Sequence, residues 1–250
     1  MSMPKIVKEK LNLVDAVAEI TTISKVAGCA IWTVVGKGPS VEQYTQADLP
    51  RCLITLNHAC QHIKPTIAHF VDWDAYESCR ESLPVATLVA MPWHPHIRNK
   101  ATEATIADLA TIKDHANKWL VYDASTARRL KKWGKRRFTT LRYFSATAVF
   151  DLLVQAGRRH IESVGVDGGK TYAKQFSTDT LLSNGQKSFD IQTEVIRRIC
   201  GATTVWQKMP ATPRRPIDGT DQDIHRDGAE SGSSEVRPRI QLKEVRHRPD

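Results

Sequence analysis

The chain has 250 residues, of which 41% are hydrophobic, and its 36 Lys and Arg outnumber 27 Asp and Glu to give a net charge of +9. This length suffices for one domain with a hydrophobic core, and the aliphatic and aromatic residues spread along most of the chain exclude a wholly disordered protein. No apolar run approaches the roughly 18 residues that a membrane-spanning helix needs.

Short apolar runs alternate with helical patterns along most of the chain. A first helix is predicted over residues 7–26, ahead of the strands. The predicted strands cover residues 30–35, 52–56, 66–71, 86–90, 119–122, 162–166 and 203–206. The predicted helices cover residues 41–47, 75–81, 103–116, 126–133, 146–156 and 190–200.

The strand pattern predicts a doubly wound α/β fold with a mostly parallel sheet. The strands are continuous apolar runs rather than alternating ones, which is typical of strands covered on both faces. The helices between them have the length that right-handed crossovers need. We therefore predict one α/β domain over residues 1–207. Residues 208–250 are rich in Pro, Gly, Ser and charge, which predicts a disordered polar tail.

Five cysteines occur, at positions 29, 52, 60, 79 and 200, and none belongs to a Cys-x-x-Cys pair. This odd count favours reduced thiols in a cytoplasmic protein over a disulfide framework or a zinc ribbon. Residues 1–17 carry charges and no continuous apolar stretch, so they do not have the pattern of a secretory signal.

The positive charge is concentrated in one segment. Residues 128–142 contain eight Lys or Arg and no acidic residue, whereas residues 211–250 carry eight of each sign. A basic patch of this kind with interleaved aromatic residues suits nucleic acid or an anionic donor. A solvated amphipathic helix followed by a basic loop is the alternative.

The predicted strand at 30–35 ends in a Gly-x-Gly turn followed by Pro39 and Ser40. Gly36 and Gly38 allow a tight turn and close approach of the backbone to a ligand. The N–H groups of the helix that follows favour an anion, and Lys37 adds a positive charge. The turn lacks the third glycine of the dinucleotide fingerprint and the ending of a P-loop, so an ordinary glycine-rich connection is the alternative.

Polar residues also follow the next predicted strands. Asn57 can donate and accept hydrogen bonds at once, which suits a ribose, a base edge or a phosphate, although it could instead cap the next segment. Asp72 and Asp74 have the hard oxygen ligands that hold Mg²⁺ or Mn²⁺ beside a diphosphate, and helix capping is again the alternative. His94 is a candidate acid or base because the intrinsic pKa of a histidine side chain lies near neutrality.

The segment from Ser145 to Phe176 has the most organised pattern. Ser145 suits the start of a helix whose apolar residues share one face. The strand that follows delivers Asp167 at its end, before Gly168 and Gly169. The start of this helix and Asp167 are therefore predicted to bracket a nucleotide.

Taken in order, Gly36–Ser40, Asn57, the helix from Ser145 to Gly157, and Gly165-Val166-Asp167 form a recognisable set. The set resembles the bacterial lipooligosaccharide sialyltransferases and the related archaeal-type 6-hydroxymethylpterin diphosphokinases, and it covers roughly residues 31–200. The resemblance implies a Rossmann-like fold that binds a nucleotide or nucleotide sugar at these positions.

The resemblance also implies roles for single residues. Ser145 and Ala146 would hold the nucleotide at the helix start, and Tyr172 would touch the donor phosphate. Two positions depart from the sialyltransferase pattern: Lys37 stands where those enzymes carry Asn, and Asn184 lies where they carry a catalytic His. Both departures argue against CMP-sialic acid as the donor.

These observations lead to a glycosyltransferase that moves a sugar from a nucleotide-activated donor to an anionic or glycan acceptor. Asp167, His94 and Asp72, in that order, are the candidates for the general base. The reaction has no firm need of a metal, and Mg²⁺ or Mn²⁺ would bind at Asp72 and Asp74. The alternatives are a diphosphokinase that uses ATP and Mg²⁺, and a DNA-modifying transferase that uses the basic patch at 128–142 to bind nucleic acid.

Overall fold

Eight parallel strands form one sheet, which is the frame of the protein. The computed structural model describes residues 11–84, 87–111, 114, 117–125, 139–140, 145–176 and 189–210. The strands are β1 (Asn12–Asp15), β2 (Ile31–Val35), β3 (Leu53–Leu56), β4 (Ile67–His69), β5 (Leu88–Pro92), β6 (Lys118–Tyr122), β7 (His160–Val164) and β8 (Val205–Lys208). Contacts divide the chain into two units, residues 1–215 and 216–250, and every described residue lies in the first.

The order of the strands across the sheet is β1-β6-β5-β4-β3-β2-β7-β8, and every neighbouring pair is parallel. From β2 the chain proceeds outward through β3 to β6, then returns to place β7 and β8 on the other side of β2. The strand order therefore reverses between β2 and β7. In open α/β sheets, ligands bind beyond the carboxyl ends of the strands at such a switch point.

Helices cover both faces of the sheet. They are α1 (Ala16–Val26), α2 (Trp73–Cys79), α3 (Ile106–Leu109), α4 (Ser145–Gln155) and α5 (Asp190–Cys200). Helices α1, α4 and α5 pack with Val34 and Ile54 on one face, whereas the neighbouring Val35 and Leu53 enter a cluster on the other face. Because successive side chains of a strand point to opposite faces, both faces of these strands are buried. The predicted α/β doubly wound fold is confirmed.

Shorter elements connect the sheet and helices. The 3₁₀ segments are Pro39–Gln43, Gln46–Asp48, Asn57–Gln61, Arg80–Ser82 and Lys174–Phe176. The two-residue strands are His96–Ile97 with Lys100–Ala101, and Ala124–Ser125 with Thr139–Thr140. Among the described residues, none of the helices has the length and apolar character needed to cross a membrane.

The beginning of the described chain differs from the predicted helix over residues 7–26. Asn12–Asp15 form strand β1, which pairs in parallel with β6 at the edge of the sheet. Helix α1 begins only after Asp15, whose carboxylate accepts a hydrogen bond of 2.8 Å from the Ala18 N–H. A side chain that caps a helix start in this way separates β1 from α1.

Two other predicted helices are shorter than expected. The pattern at 41–47 yields only 3₁₀ turns, because the Asp48 carboxylate accepts hydrogen bonds from the Thr45 N–H and hydroxyl, each of 2.7 Å, and starts a new turn there. The prediction over 103–116 contains α3, whose start is fixed by a capping box of Thr105 and Asp108. The predicted helix over 126–133 and most of the basic patch at 128–142 lie outside the described residues.

Strand β8 runs through Lys208, the first residue of the predicted tail. The Met209 N–H then donates to the Ser163 carbonyl at 2.9 Å, which continues the contact between β8 and β7. Residues 211–250 of the predicted tail lie outside the described residues.

Cys29 and Cys52 are joined by a disulfide bond, with their Cα atoms 6.3 Å apart. The two residues precede the neighbouring strands β2 and β3, so the bond links the amino-terminal ends of these strands. Cys60, Cys79 and Cys200 are free and buried. The prediction of five reduced thiols is therefore wrong for the Cys29–Cys52 pair.

Candidate functional site

A cavity of about 750 Å³ opens beyond the carboxyl ends of β2, β3, β4 and β7. It lies at the switch point of the sheet, and the amino-terminal ends of α4 and α5 contribute to its wall. Most of the residues that the sequence singled out line it, namely Gly36, Lys37, Gly38, Asn57, Asp72, Asp74, Ser145, Ala146, Asp167 and Tyr172. The residues that follow the predicted strands therefore lie around one cavity at the carboxyl ends of the sheet.

The two loops at the switch point pack directly against each other. The N–H groups of Gly36 and Gly38 donate to the carbonyls of Val164 and Gly165, each at 2.8 Å. A Cβ atom on Gly36 would overlap the Gly165 carbonyl, and one on Gly38 would overlap the Asp167 carboxylate. The sequence predicted that these glycines admit a ligand; in the structure they admit the neighbouring loop.

Asp167 holds the start of the Pro39–Gln43 turn. Its two carboxylate oxygens accept hydrogen bonds from the Ser40 N–H at 2.8 Å and the Ser40 hydroxyl at 2.7 Å. The Ser40 hydroxyl oxygen accepts in turn from the Gly165 N–H at 2.7 Å. A carboxylate of the protein therefore already occupies the anion position that the sequence assigned to a phosphate. Pro39 and Ser40 do not themselves line the cavity.

Lys37 provides a positive charge within the cavity wall. Its Nζ lies 4.4 Å from the centre of the Tyr172 ring, in cation–π geometry. Burial lowers the pKa of the ammonium group from 10.5 to about 8. No carboxylate in the described part of the chain forms an ion pair with it. The group is charged at neutral pH, and an anionic ligand would supply the partner it lacks there.

His58, which follows Asn57, is a cavity residue that the sequence analysis did not single out. Its Nε2 lies 2.9 Å from the Ser78 hydroxyl oxygen, and that hydroxyl also lies 2.9 Å from the Ala75 carbonyl. A carbonyl can only accept, so the one hydroxyl proton goes to Ala75 and Nε2 must donate to Ser78. Burial, reinforced by the charge of Lys37, lowers the pKa of His58 from 6.5 to about 4. The ring is therefore neutral at pH 7, with its proton on Nε2.

The titration of His58 should make the folded protein less stable in mild acid. Between pH 6.5 and about 4 the unfolded chain binds a proton at His58 that the folded chain excludes. Stability from this group is therefore complete above pH 6.5 and is lost as the pH falls toward 4. Urea unfolding at several pH values should show a smaller loss for His58→Gln, whose amide N–H can still reach Ser78. An equal pH dependence in both proteins would contradict the burial of His58.

Asn57 and Ser145, which the sequence resemblance assigns to one nucleotide site, are in contact. Asn57 adopts a left-handed backbone conformation with φ of 50° at the end of β3. The Ser145 hydroxyl donates to the Asn57 side-chain oxygen at 3.4 Å, across the start of α4. This contact brings the amide group of Asn57 to the amino-terminal end of an eleven-residue helix, whose backbone N–H groups favour negative charge.

Asp72 and Asp74 line the cavity but are used by the hairpin that follows β5. The Asp74 carboxylate accepts from the Arg98 N–H at 2.5 Å, and the Asp72 carboxylate accepts from the Asn99 N–H at 3.1 Å. Burial raises the pKa of the Asp72 carboxyl above its usual value, against the opposing effect of His96. No three His, Cys, Asp or Glu side chains among the described residues are grouped to hold a metal ion. Each of the two carboxylates is bonded to a backbone N–H group of the hairpin, and the Mg²⁺ or Mn²⁺ site at this pair stays a prediction.

His94 is not brought to the cavity. Its Nδ1 lies 3.0 Å from the Glu103 carbonyl oxygen, on the loop that leads to α3. His96, two residues further on, lines the cavity instead. The short antiparallel pairing of His96–Ile97 with Lys100–Ala101 sets this difference, and neither strand of that hairpin is long enough to show in the sequence pattern.

The site as a whole has two walls. One carries Lys37, Asn57 and Ser145 from β2, β3 and α4, and the other carries Asp72, His96 and Arg98 from the region beyond β4. None of the protein-family models, curated proteins or solved structures with which the chain was compared matches it.

Proposed function

We propose that the protein is a glycosyltransferase that moves a sugar from a nucleotide-activated donor to an acceptor. The observation that carries the proposal is the convergence of Lys37, Asn57 and Ser145 on one cavity at the switch point of a parallel sheet. Open α/β sheets bind nucleotides at this place. The sequence resemblance implies nucleotide binding at Asn57 and Ser145 as well.

The donor would bind along the wall formed by β2, β3 and α4. The volume of about 750 Å³ falls within the usual range for small-molecule sites. The Lys37 ammonium would face the phosphate groups, since it is buried without a carboxylate partner among the described residues. Asn57 would form hydrogen bonds with the hydroxyl groups of the ribose or of the sugar.

We assign the general base to Asp72 rather than to Asp167. Both oxygens of Asp167 accept hydrogen bonds from Ser40, whereas Asp72 lies in the opposite wall and has a raised pKa. Asp72 would take the proton of the acceptor hydroxyl, and that oxygen would attack the anomeric carbon. The bond from this carbon to the phosphate oxygen then breaks, and the nucleotide leaves with the electron pair. Lys37 would offset the negative charge of the leaving group.

The proposal is tested by thermal unfolding with CMP, UDP, GDP, ATP and the corresponding nucleotide sugars. We expect one nucleotide family to stabilise the protein by about 2.7 kcal/mol at a concentration of about 100 times its Kd. Lys37→Ala should remove most of this stabilisation, and Lys64→Ala, which removes an exposed lysine, should preserve it. Absence of stabilisation by every nucleotide at millimolar concentration would refute the donor assignment.

The affinity of the protein for the nucleotide should also depend on pH. Because the pKa of Lys37 is lowered to about 8, the free protein loses this charge as the pH rises through that value. A bound phosphate holds the proton, so affinity should fall between pH 7.5 and 9.5. Isothermal titration should show this fall for the parent protein and for Lys64→Ala, and a flatter profile for Lys37→Ala.

A further inference from the structure

The hairpin beyond β5 contains two strained residues. Arg98 and Asn99 form the turn between His96–Ile97 and Lys100–Ala101, and both have left-handed backbones with φ of 50° and 59°. Two-residue turns of this kind usually contain glycine, because side chains disfavour the left-handed region. An arginine at such a position is a backbone outlier, and outliers of this kind cluster at functional sites.

Three contacts hold this turn against the cavity wall. The carboxylates of Asp74 and Asp72 accept the N–H groups of Arg98 and Asn99. The His96 N–H donates to the Val71 carbonyl at 2.8 Å. The hairpin is therefore fixed to the segment that joins β4 to α2, and its backbone conformation does not depend on the side chain of Arg98.

This arrangement places Arg98 in the cavity lining, at the turn of the hairpin. Arg98 is exposed and contributes to the cavity lining, and it forms no ion pair with another residue of the described ranges. Lys37 follows β2, two strands away from β4 in the sheet. Two cationic residues in separate walls of the cavity suit two anionic groups rather than a single phosphate.

We propose that Arg98 forms an anion subsite for the acceptor, which would be a hydroxyl compound that also carries a carboxylate or a phosphate. The planar guanidinium binds either group through two parallel hydrogen bonds. Asp72 holds the N–H of the residue next to Arg98, so an acceptor bound there has its hydroxyl close to the carboxylate assigned as general base. The acceptor role rests on the proposed function, whereas the anion subsite itself is measurable without it.

The subsite is tested with inorganic phosphate and with glucuronate, a hydroxyl compound with a carboxylate, by isothermal titration in a Lys37→Ala background. We expect Arg98→Gln to weaken binding of the preferred anion at least tenfold. Lys100→Ala removes a charge from the same hairpin outside the cavity lining and should change binding by less than twofold. The anion that binds more tightly identifies the acidic group of the acceptor.

The outcomes separate this inference from the donor assignment. Unchanged binding of both anions in Arg98→Gln, or an equal loss in Lys100→Ala, overturns the subsite even if nucleotides bind at Lys37. If no nucleotide binds while the Arg98-dependent anion binding persists, the donor assignment fails and the subsite stands. An unchanged melting temperature of Arg98→Gln is expected, because the contacts that hold the turn use backbone N–H groups.

Discussion

Gly165→Ala should destabilise the protein by about 3 kcal/mol and abolish ligand binding in the cavity. Gly165 has a left-handed backbone with φ of 68°, and its new Cβ atom would lie 2.6 Å from the backbone of Gly36. Neither backbone can move without separating β2 from β7, which flank the switch point. The loss in the free energy of unfolding therefore has two causes, local backbone strain and a steric clash between the two loops.

Gly157→Ala is the matched control for this substitution. Gly157 has a similar φ of 75°, but no atom lies within 4 Å of the position that its Cβ would take. Gly157→Ala should be destabilised by local backbone strain alone, about 1 kcal/mol, and its cavity should be unchanged. Urea unfolding measures both free energies. Equal losses in the two variants would show that the contact between the loops does not contribute.

Asp167→Ala should be the second most damaging change at the site, with a loss of about 2 kcal/mol in the free energy of unfolding. The substitution leaves the Ser40 N–H and hydroxyl without their acceptors in a partly buried position. The Ser40 hydroxyl oxygen also accepts a hydrogen bond from the Gly165 N–H, so the substitution should weaken the contact between the two loops as well. We expect nucleotide affinity to fall together with stability.

Asp48→Ala tests whether the position of this contact matters. The Asp48 carboxylate also accepts an N–H and a hydroxyl, both from Thr45, but it does so at the surface and within a single turn. Asp48→Ala should lower the free energy of unfolding much less than Asp167→Ala, and it should leave the cavity unchanged. A double-mutant cycle of Ser40→Ala with Asp167→Ala should be strongly non-additive. Additive losses would mean that the two side chains act separately.

The fold class could be predicted from the sequence because strands that are buried on both faces appear as continuous apolar runs. Continuous apolar runs located six of the eight strands of the sheet, and the pattern at residues 203–206 overlaps a seventh. Strand β1 was missed because its pairing depends on β6, more than one hundred residues later, and not on a local pattern. The helices predicted after β2 and β5 are interrupted in the structure. The sequence pattern did not show the interruptions, because they depend on short capping contacts such as the one between Thr45 and Asp48.

The candidate site was predicted in part for a similar reason. Residues that follow parallel strands lie along one edge of the sheet, which explains why the Gly36 turn lies against Asp167 and why Asn57 lies beside the start of α4. The partners of Asp72 and Asp74 lie in a hairpin about 25 residues later, and only the folded chain reveals them. The neutral state of His58 likewise depends on burial, which its place in the sequence does not show.

The contact between Ser40 and Asp167 joins positions 127 residues apart. During synthesis, the segment up to β6 can assemble most of the sheet, yet the part of the cavity lining that follows β7 is still missing. It forms only when β7 docks beside β2, and closing so long a loop is a slow step in folding. A nascent or truncated chain that ends before this strand should therefore have most of the core and no functional cavity, so ligand binding arises only late in folding.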